Sequence, residues 1–124
     1  MAAGIATLTT LKKQNPFEKF DEIAKIIEVF LLESAKKHGV DLTVNRFGSM
    51  INPFFTKEKV TNFELAQTSD TSKFAAFFWE MIKGGVFLPP SQFEAWFLSS
   101  AITENDLKRI SKAIDNAMKV VANM

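Results

Sequence analysis

The chain has 124 residues, 47% of them apolar, and its fifteen basic and fourteen acidic side chains leave a formal charge of +1. That suffices for one domain with a core burying roughly 65% of the unfolded surface, and it leaves no like-charge block that would mark a nucleic-acid or anionic-lipid footprint. Cysteine is absent and His38 is the only histidine, which excludes disulfides, thiolate nucleophiles and Cys- or His-rich metal sites.

Residues 2–13 carry Ile5, Leu8 and Leu11 on a weak helical stripe with no capping residue in front of Ala2, so the natural start of this helix is expected upstream of Met1. Asn15-Pro16-Phe17-Glu18 predicts a strong second start, with Asn15 as cap, Pro16 in the first turn and Glu18 reaching back. The helix is expected to run to about Lys37, to bury Phe17, Phe20, Ala24, Ile27, Leu31 and Ala35, and to stop at Gly39. His38 then reads as a cation at the negative end of the helix dipole. The period changes to two at Leu42, Val44 and Arg46, and Gly48 separates them from Ser49 to Phe55, which predicts a β-hairpin. Pro53 suggests an edge or a bulge in its second strand.

Residues 56–69 are polar and read as irregular. Asp70 or Ser69 should cap a helix burying Phe74, Phe77, Phe78, Met81 and Ile82, which ends at Lys83-Gly84-Gly85. A short strand is expected around Val86-Phe87 and a third main strand over Trp96 to Ser100. Thr103, with Asp106 in the box position, should open the last helix, whose stripe is Leu107, Ile110, Ile114, Ala117 and Val121. The order ααββαβα with an antiparallel hairpin predicts an α+β fold, a small antiparallel sheet of three to four strands with helices on one face. Most of the thirteen phenylalanines stand at core spacing and read as packing, the remainder, near Glu94, as pocket wall.

No apolar stretch approaches the ~20 residues needed to span a bilayer, and the N-terminus has no basic n-region, so a soluble cytoplasmic protein is the expectation. Gly84-Gly85 follows a helix instead of opening one, which is the wrong place for a phosphate loop. Lys83, in a last helical turn, reads as a solvated dipole partner rather than a Schiff-base lysine. The informative residue is Glu94, a carboxylate in a run with Pro89-Pro90 and the bulky apolar side chains Phe87, Leu88, Phe93, Trp96, Phe97 and Leu98. Buried unpaired it would cost several kcal/mol, so a cation, hydrogen-bond donors or a raised pKa are expected. The alternatives are an internal ion pair, for example to Arg46, and plain exposure at a strand end.

Gly85-Val86, the run Pro90-Ser91-Gln92-Phe93-Glu94-Ala95, then Phe97-Leu98-Ser99-Ser100-Ala101 and the capping Thr103 resemble the C-terminal domain of the glutamate-1-semialdehyde 2,1-aminomutase family. Met1 to Leu8, Thr43 to Met50, Phe54-Phe55-Thr56 and the Asp70 to Met81 helix fall in the same order, so essentially the whole chain is covered. The resemblance implies that residues 15–124 form the small C-terminal domain of a fold-type I transferase and residues 1–14 the last helix of a large domain outside this chain. It implies an intramolecular aminotransferase that converts glutamate-1-semialdehyde to 5-aminolevulinate in tetrapyrrole synthesis. The cofactor would be pyridoxal or pyridoxamine phosphate and the assembly a homodimer, with no nucleic acid or membrane involved.

In that family the Schiff-base lysine, the aspartate on the pyridine nitrogen and the phosphate contacts belong to the large domain. The 124 residues alone are therefore expected to be inactive and to hold no cofactor. The resemblance carries one site residue over: Glu94 as a substrate-binding group, partnered by an arginine of the N-terminal segment. Related ω-aminotransferases tend to place an arginine near this position. Trp96 stands where a small glycine is usual and reads as packing, and Ile102 stands where a histidine is common. The alternative is a free-standing, non-catalytic binding or dimerisation module with the same small-domain fold.

Overall fold

The structure, a computed structural model, describes residues 1–124. Helix α1 (Ala2–Gln14) ends where Asn15 turns left-handed, φ 44°, and donates its N–H to the Leu11 carbonyl. The expected Asn15 cap on the next helix is therefore not made. A short amide side chain suits a left-handed residue as well as an N-cap, and here Asn15 closes α1. Helix α2 (Phe17–His38) follows Pro16 with no side-chain cap, so Glu18 does not complete a box either. Its buried stripe begins only at Ile23 and runs through Ala24, Ile27, Leu31 and Ala35. Phe17 is exposed and Phe20 half-buried, because no other element covers the first turns; the two rings instead meet edge to face at 6.3 Å. Gly39, φ 69°, ends α2 as expected, its N–H reaching the Ala35 and Lys36 carbonyls.

Strands β1 (Thr43–Phe47) and β2 (Met50–Phe54) form the hairpin, with Phe47 opposite Met50 across Gly48-Ser49 and Gly48 at φ 55°. Residues 56–69 are not wholly irregular. Asn62 caps a four-residue helix, α3 (Phe63–Ala66), by accepting from Leu65 N–H, a segment too short to show a helical period. Asp70 caps α4 (Thr71–Lys83) through the N–H groups of Ser72 and Lys73. Phe74, Phe77 and Met81 are buried in it, while Phe78 and Ile82 are only half-buried. The helix stops at Gly84-Gly85, and each position requires glycine for its own reason. Gly85 takes φ 79°, and a Cβ on Gly84 would come within 2.7 Å of the Ala113 Cβ.

Val86-Phe87 forms no strand, since no neighbouring strand is there to pair with it. The third strand, β3 (Trp96–Phe97), is two residues long and pairs antiparallel with Met50 and Ile51, so the sheet order is β1-β2-β3. Helix α5 (Glu104–Val121) opens with both arms of the Thr103–Asp106 box, and these hydrogen bonds hold the Asp106 carboxyl below its ordinary pKa. It buries Ala113, Ile114, Ala117, Met118 and Val121; Leu107 and Ile110 lie at the half-buried margin.

The result is the expected α+β architecture, with α3 added to the predicted order. Helices α2, α4 and α5 pack together over one face of the sheet. Phe77 sits at the centre, its ring 5.5 Å from Phe55 and stacked at 6.4 Å on Trp96. The opposite face of the sheet is covered only at one end, where Phe54 packs with Val60 and Ala66, and is open beyond it. Phe47, Met50 and Phe97 lie opposite one another in a single row across the three strands, and all three are exposed. With Phe17, Phe63, Phe87 and Phe93 also exposed, the phenylalanines are not mostly core. Helix α1 buries none of its residues, leaving Ile5 and Leu8 in solvent.

Candidate functional site

The segment between α4 and β3 crosses two prolines and then makes a tight turn in which Glu94 N–H donates to the Ser91 carbonyl at 3.2 Å. Phe93 N–H donates to Ser91 Oγ at 3.2 Å, so the serine stiffens the turn from within. Gln92, at the inner corner, is 2% exposed and donates from Nε2 to the Pro53 carbonyl at 2.7 Å. In an extended strand the nitrogen and carbonyl of one residue point to the same edge. Pro53 therefore presents its N–H-less nitrogen on the side where β3 has already ended, and it costs the ladder no bond there. This is the physical sense of the expected edge: β2 is central by order, yet Pro53 lies beyond its short neighbour. On the outer side of the turn the Phe93 ring packs at 5.7 Å against Phe63 of α3.

Glu94 is exposed. The expectation of a buried carboxylate held by a cation or by donors is not met, and Glu94 takes part in no ion pair within the chain. Its apolar neighbours in sequence point away from it, Trp96 into the core and Phe97 onto the open face, so the carboxylate keeps its water. Arg46 is engaged elsewhere. Its Nε donates to Glu28 at 2.7 Å and one terminal nitrogen donates to Asp21 at 2.6 Å. The Glu28 bond is the largest cause of a guanidinium pKa raised above its ordinary value, against an opposing desolvation.

The residues flanking Glu94 border two clefts. Phe93 borders one of about 360 Å³ with Asn45, Asn62 and Phe63. Ala95 borders another of about 550 Å³ along the hairpin, with Glu28, Arg46, Phe47 and Met50. A third cleft, of about 420 Å³, lies behind β3, and Trp96, Leu88 and Ile102 form part of its almost wholly apolar wall. Trp96 is thus core packing and wall at once. Two buried polar atoms near the turn have no partner within the chain, Gln92 Oε1 and Trp96 Nε1. No three acidic or histidine side chains gather to hold a metal ion, and no helix is long and apolar enough to cross a membrane.

Two features escaped the sequence reading. Gln92 is one; its signal was an amide in an otherwise apolar run behind two prolines. The other joins α2 to α5. Asp115 accepts from Lys37 at 2.9 Å, meets His38 Nε2 at 2.9 Å and accepts from Ser34 at 3.2 Å. The Lys37 bond, then the His38 bond, pull the Asp115 pKa down to about 2. His38 is therefore more than a dipole partner. Lys83, by contrast, binds only Glu80, at 2.6 Å near the exposed end of α4.

No family model matches the chain. It is 46% identical over 98% of its length to glutamate-1-semialdehyde 2,1-aminomutase 1 of Macrococcus caseolyticus and 43% identical over 96% to aminomutase 2 of Brevibacillus brevis. By sequence, the chain belongs to the glutamate-1-semialdehyde 2,1-aminomutase family. It spans 28% of the length of these two curated relatives. Among solved structures it superposes on an omega-transaminase from Sphaerobacter thermophilus with a TM-score of 0.80 at 16% identity, covering 97% of this chain and 28% of that one. A transaminase with PLP bound gives 0.77 at 18% identity over 97% of this chain and 26% of that one. The chain therefore has the fold of the corresponding part of these transaminases.

Proposed function

We propose that the chain is the small C-terminal domain of a glutamate-1-semialdehyde 2,1-aminomutase, with residues 15–124 as the domain and residues 1–14 as a helix that packs on the remainder of the enzyme. The observation that carries this reading is 46% identity over 98% of the chain to an aminomutase of which it spans only 28%. Two structural features support the division. Helix α1 buries nothing against the rest of the chain, and the chain breaks from helix to helix at left-handed Asn15. On this reading the parent enzyme isomerises glutamate-1-semialdehyde to 5-aminolevulinate, works in the cytoplasm as a homodimer, and covers the open row Phe47, Met50 and Phe97.

Pyridoxal phosphate supplies such a parent with its electron sink, but the residues of this chain do not fit that group. Its anchor would be a lysine facing a closed site, and no lysine borders any of the three clefts around β2 and β3. This domain instead contributes Glu94. A carboxylate on an outward turn accepts hydrogen bonds from an ammonium or guanidinium and repels a second carboxylate. It can thus hold the amino end of the substrate, or an arginine brought by the rest of the enzyme, and disfavour docking of the substrate carboxylate beside it. That role is positioning of the substrate, with no proton transfer assigned.

Replacement Glu94→Gln in the full-length aminomutase tests this. We expect kcat/KM to fall at least tenfold, with the thermal midpoint unchanged because the group is exposed; unchanged kinetics would remove Glu94 from the site. The isolated 124-residue chain, mixed with pyridoxal phosphate, should give no turnover, and stoichiometric cofactor retention with turnover would sink the domain reading.

A further inference from the structure

Gln92 is the only buried polar side chain between Val86 and Ile102. Packing alone does not account for it. An unbranched apolar side chain would fill the same space without leaving Oε1 buried and unpartnered. What the amide adds is the donor: Nε2 reaches across 39 positions of sequence to the Pro53 carbonyl at 2.7 Å. The turn needs this tie, because β3 offers only two paired residues, Trp96 and Phe97, to hold the segment to the sheet. Within the turn, Glu94 N–H closes on the Ser91 carbonyl, so Gln92 anchors the inner corner while Glu94 stands at the outer end. Fixing one fixes the direction of the other.

We infer that Gln92 is a positioning residue for Glu94: its hydrogen bond to the Pro53 carbonyl locks the turn to β2 and so fixes where the carboxylate points. Phe93 against Phe63 supplies a weaker tie from the solvent side. The inference rests on Glu94 being a substrate-positioning group, and its test separates the two claims. Misplacement of a positioning group by an ångström costs on the order of tenfold to a hundredfold in rate, whatever it does to stability.

The experiment is a double-mutant cycle in the full-length aminomutase loaded with pyridoxal phosphate, comparing Gln92→Met, Glu94→Gln and the pair, with rates normalised to titrated active sites. Gln92→Met keeps the length and the burial and removes the donor. We expect it to lower kcat/KM by about tenfold, and the double variant to match Glu94→Gln within about twofold, since a misdirected group already absent has nothing left to lose. Wild-type kinetics in Glu94→Gln would overturn the reading of the site itself. A loss in Glu94→Gln beside wild-type kinetics in Gln92→Met, or losses that multiply in the double variant, would overturn the role of Gln92 alone. If Gln92→Met does not fold, Phe63→Ala loosens the same turn from its exposed side. A loss of about threefold that vanishes in the Glu94→Gln background is expected, and no loss or a multiplicative one overturns the inference.

Discussion

The two faces of the sheet carry the same kinds of residue in opposite states. Toward the helices, Ile51 and Trp96 are buried and Arg46 is spanned by Asp21 and Glu28. Toward the outside, Phe47 is 81% and Phe97 74% exposed, although Phe97 follows Trp96 directly in β3. Alternation along a strand explains why neighbours part company, yet it does not explain aromatic side chains on both faces. An apolar row across three strands has the composition of a core face, and the difference teaches that the helical layer covers only one of two apolar faces of this sheet.

The comparison breaks most visibly at its centre. Phe77→Ala removes a fully buried ring packed on Phe55 and Trp96 and should cost about 3–5 kcal/mol in denaturant unfolding. A value under 1 kcal/mol would mean that the helical layer is not the true core. Asp115 sharpens the inner side electrostatically. Its folded pKa of about 2 lies below its ordinary 3.8, so its contribution is complete above about pH 4 and fades as pH falls toward 2. Because the carboxylate is still 39% exposed, we expect only about 1 kcal/mol from it, read as a flatter acid limb of the stability profile in Asp115→Asn. The smallest effect belongs to the open face: Phe97→Ser should change stability by less than about 0.5 kcal/mol. The same substitution should weaken self-association of the isolated chain in size-exclusion chromatography across concentrations, and a wild-type chain that stays monomeric throughout would argue against an uncovered interface.

This division also marks what could be read from sequence. Local chemistry was legible wherever one segment decides its own structure, as in the Thr103–Asp106 box, the Asp70 cap, the stops at Gly39 and Gly85, and the period-two hairpin. Misreadings arose where a distant element decides or one residue suits two roles. Asn15 can cap one helix or close another, and its sequence suits both; here it closes α1. Val86-Phe87 has strand composition but no strand beside it, and β3 ends at Phe97 because its backbone leaves the sheet there. Phe17 looks like core in a sequence that does not say how many layers surround each element. The apolar surroundings of Glu94 in sequence suggest burial, yet it is exposed, the alternative that its place before a strand also allows; the pointer to a role for it is the resemblance of its motif. Gln92 lies in the same motif, but its partner is not legible there, because a hydrogen bond spanning 39 positions leaves no period in the chain.

The Gln92–Pro53 contact has one more consequence, which concerns aggregation. The open margin of a sheet is a template on which foreign strands can add, and proteins blunt it with proline, short strands or occupied carbonyls. Here all three coincide beyond the end of β3, where Pro53 has no N–H to offer and the Gln92 amide already holds its carbonyl. A molecule with an uncovered aromatic row across its sheet is protected at that margin from zipping up, backbone to backbone, with its own copies.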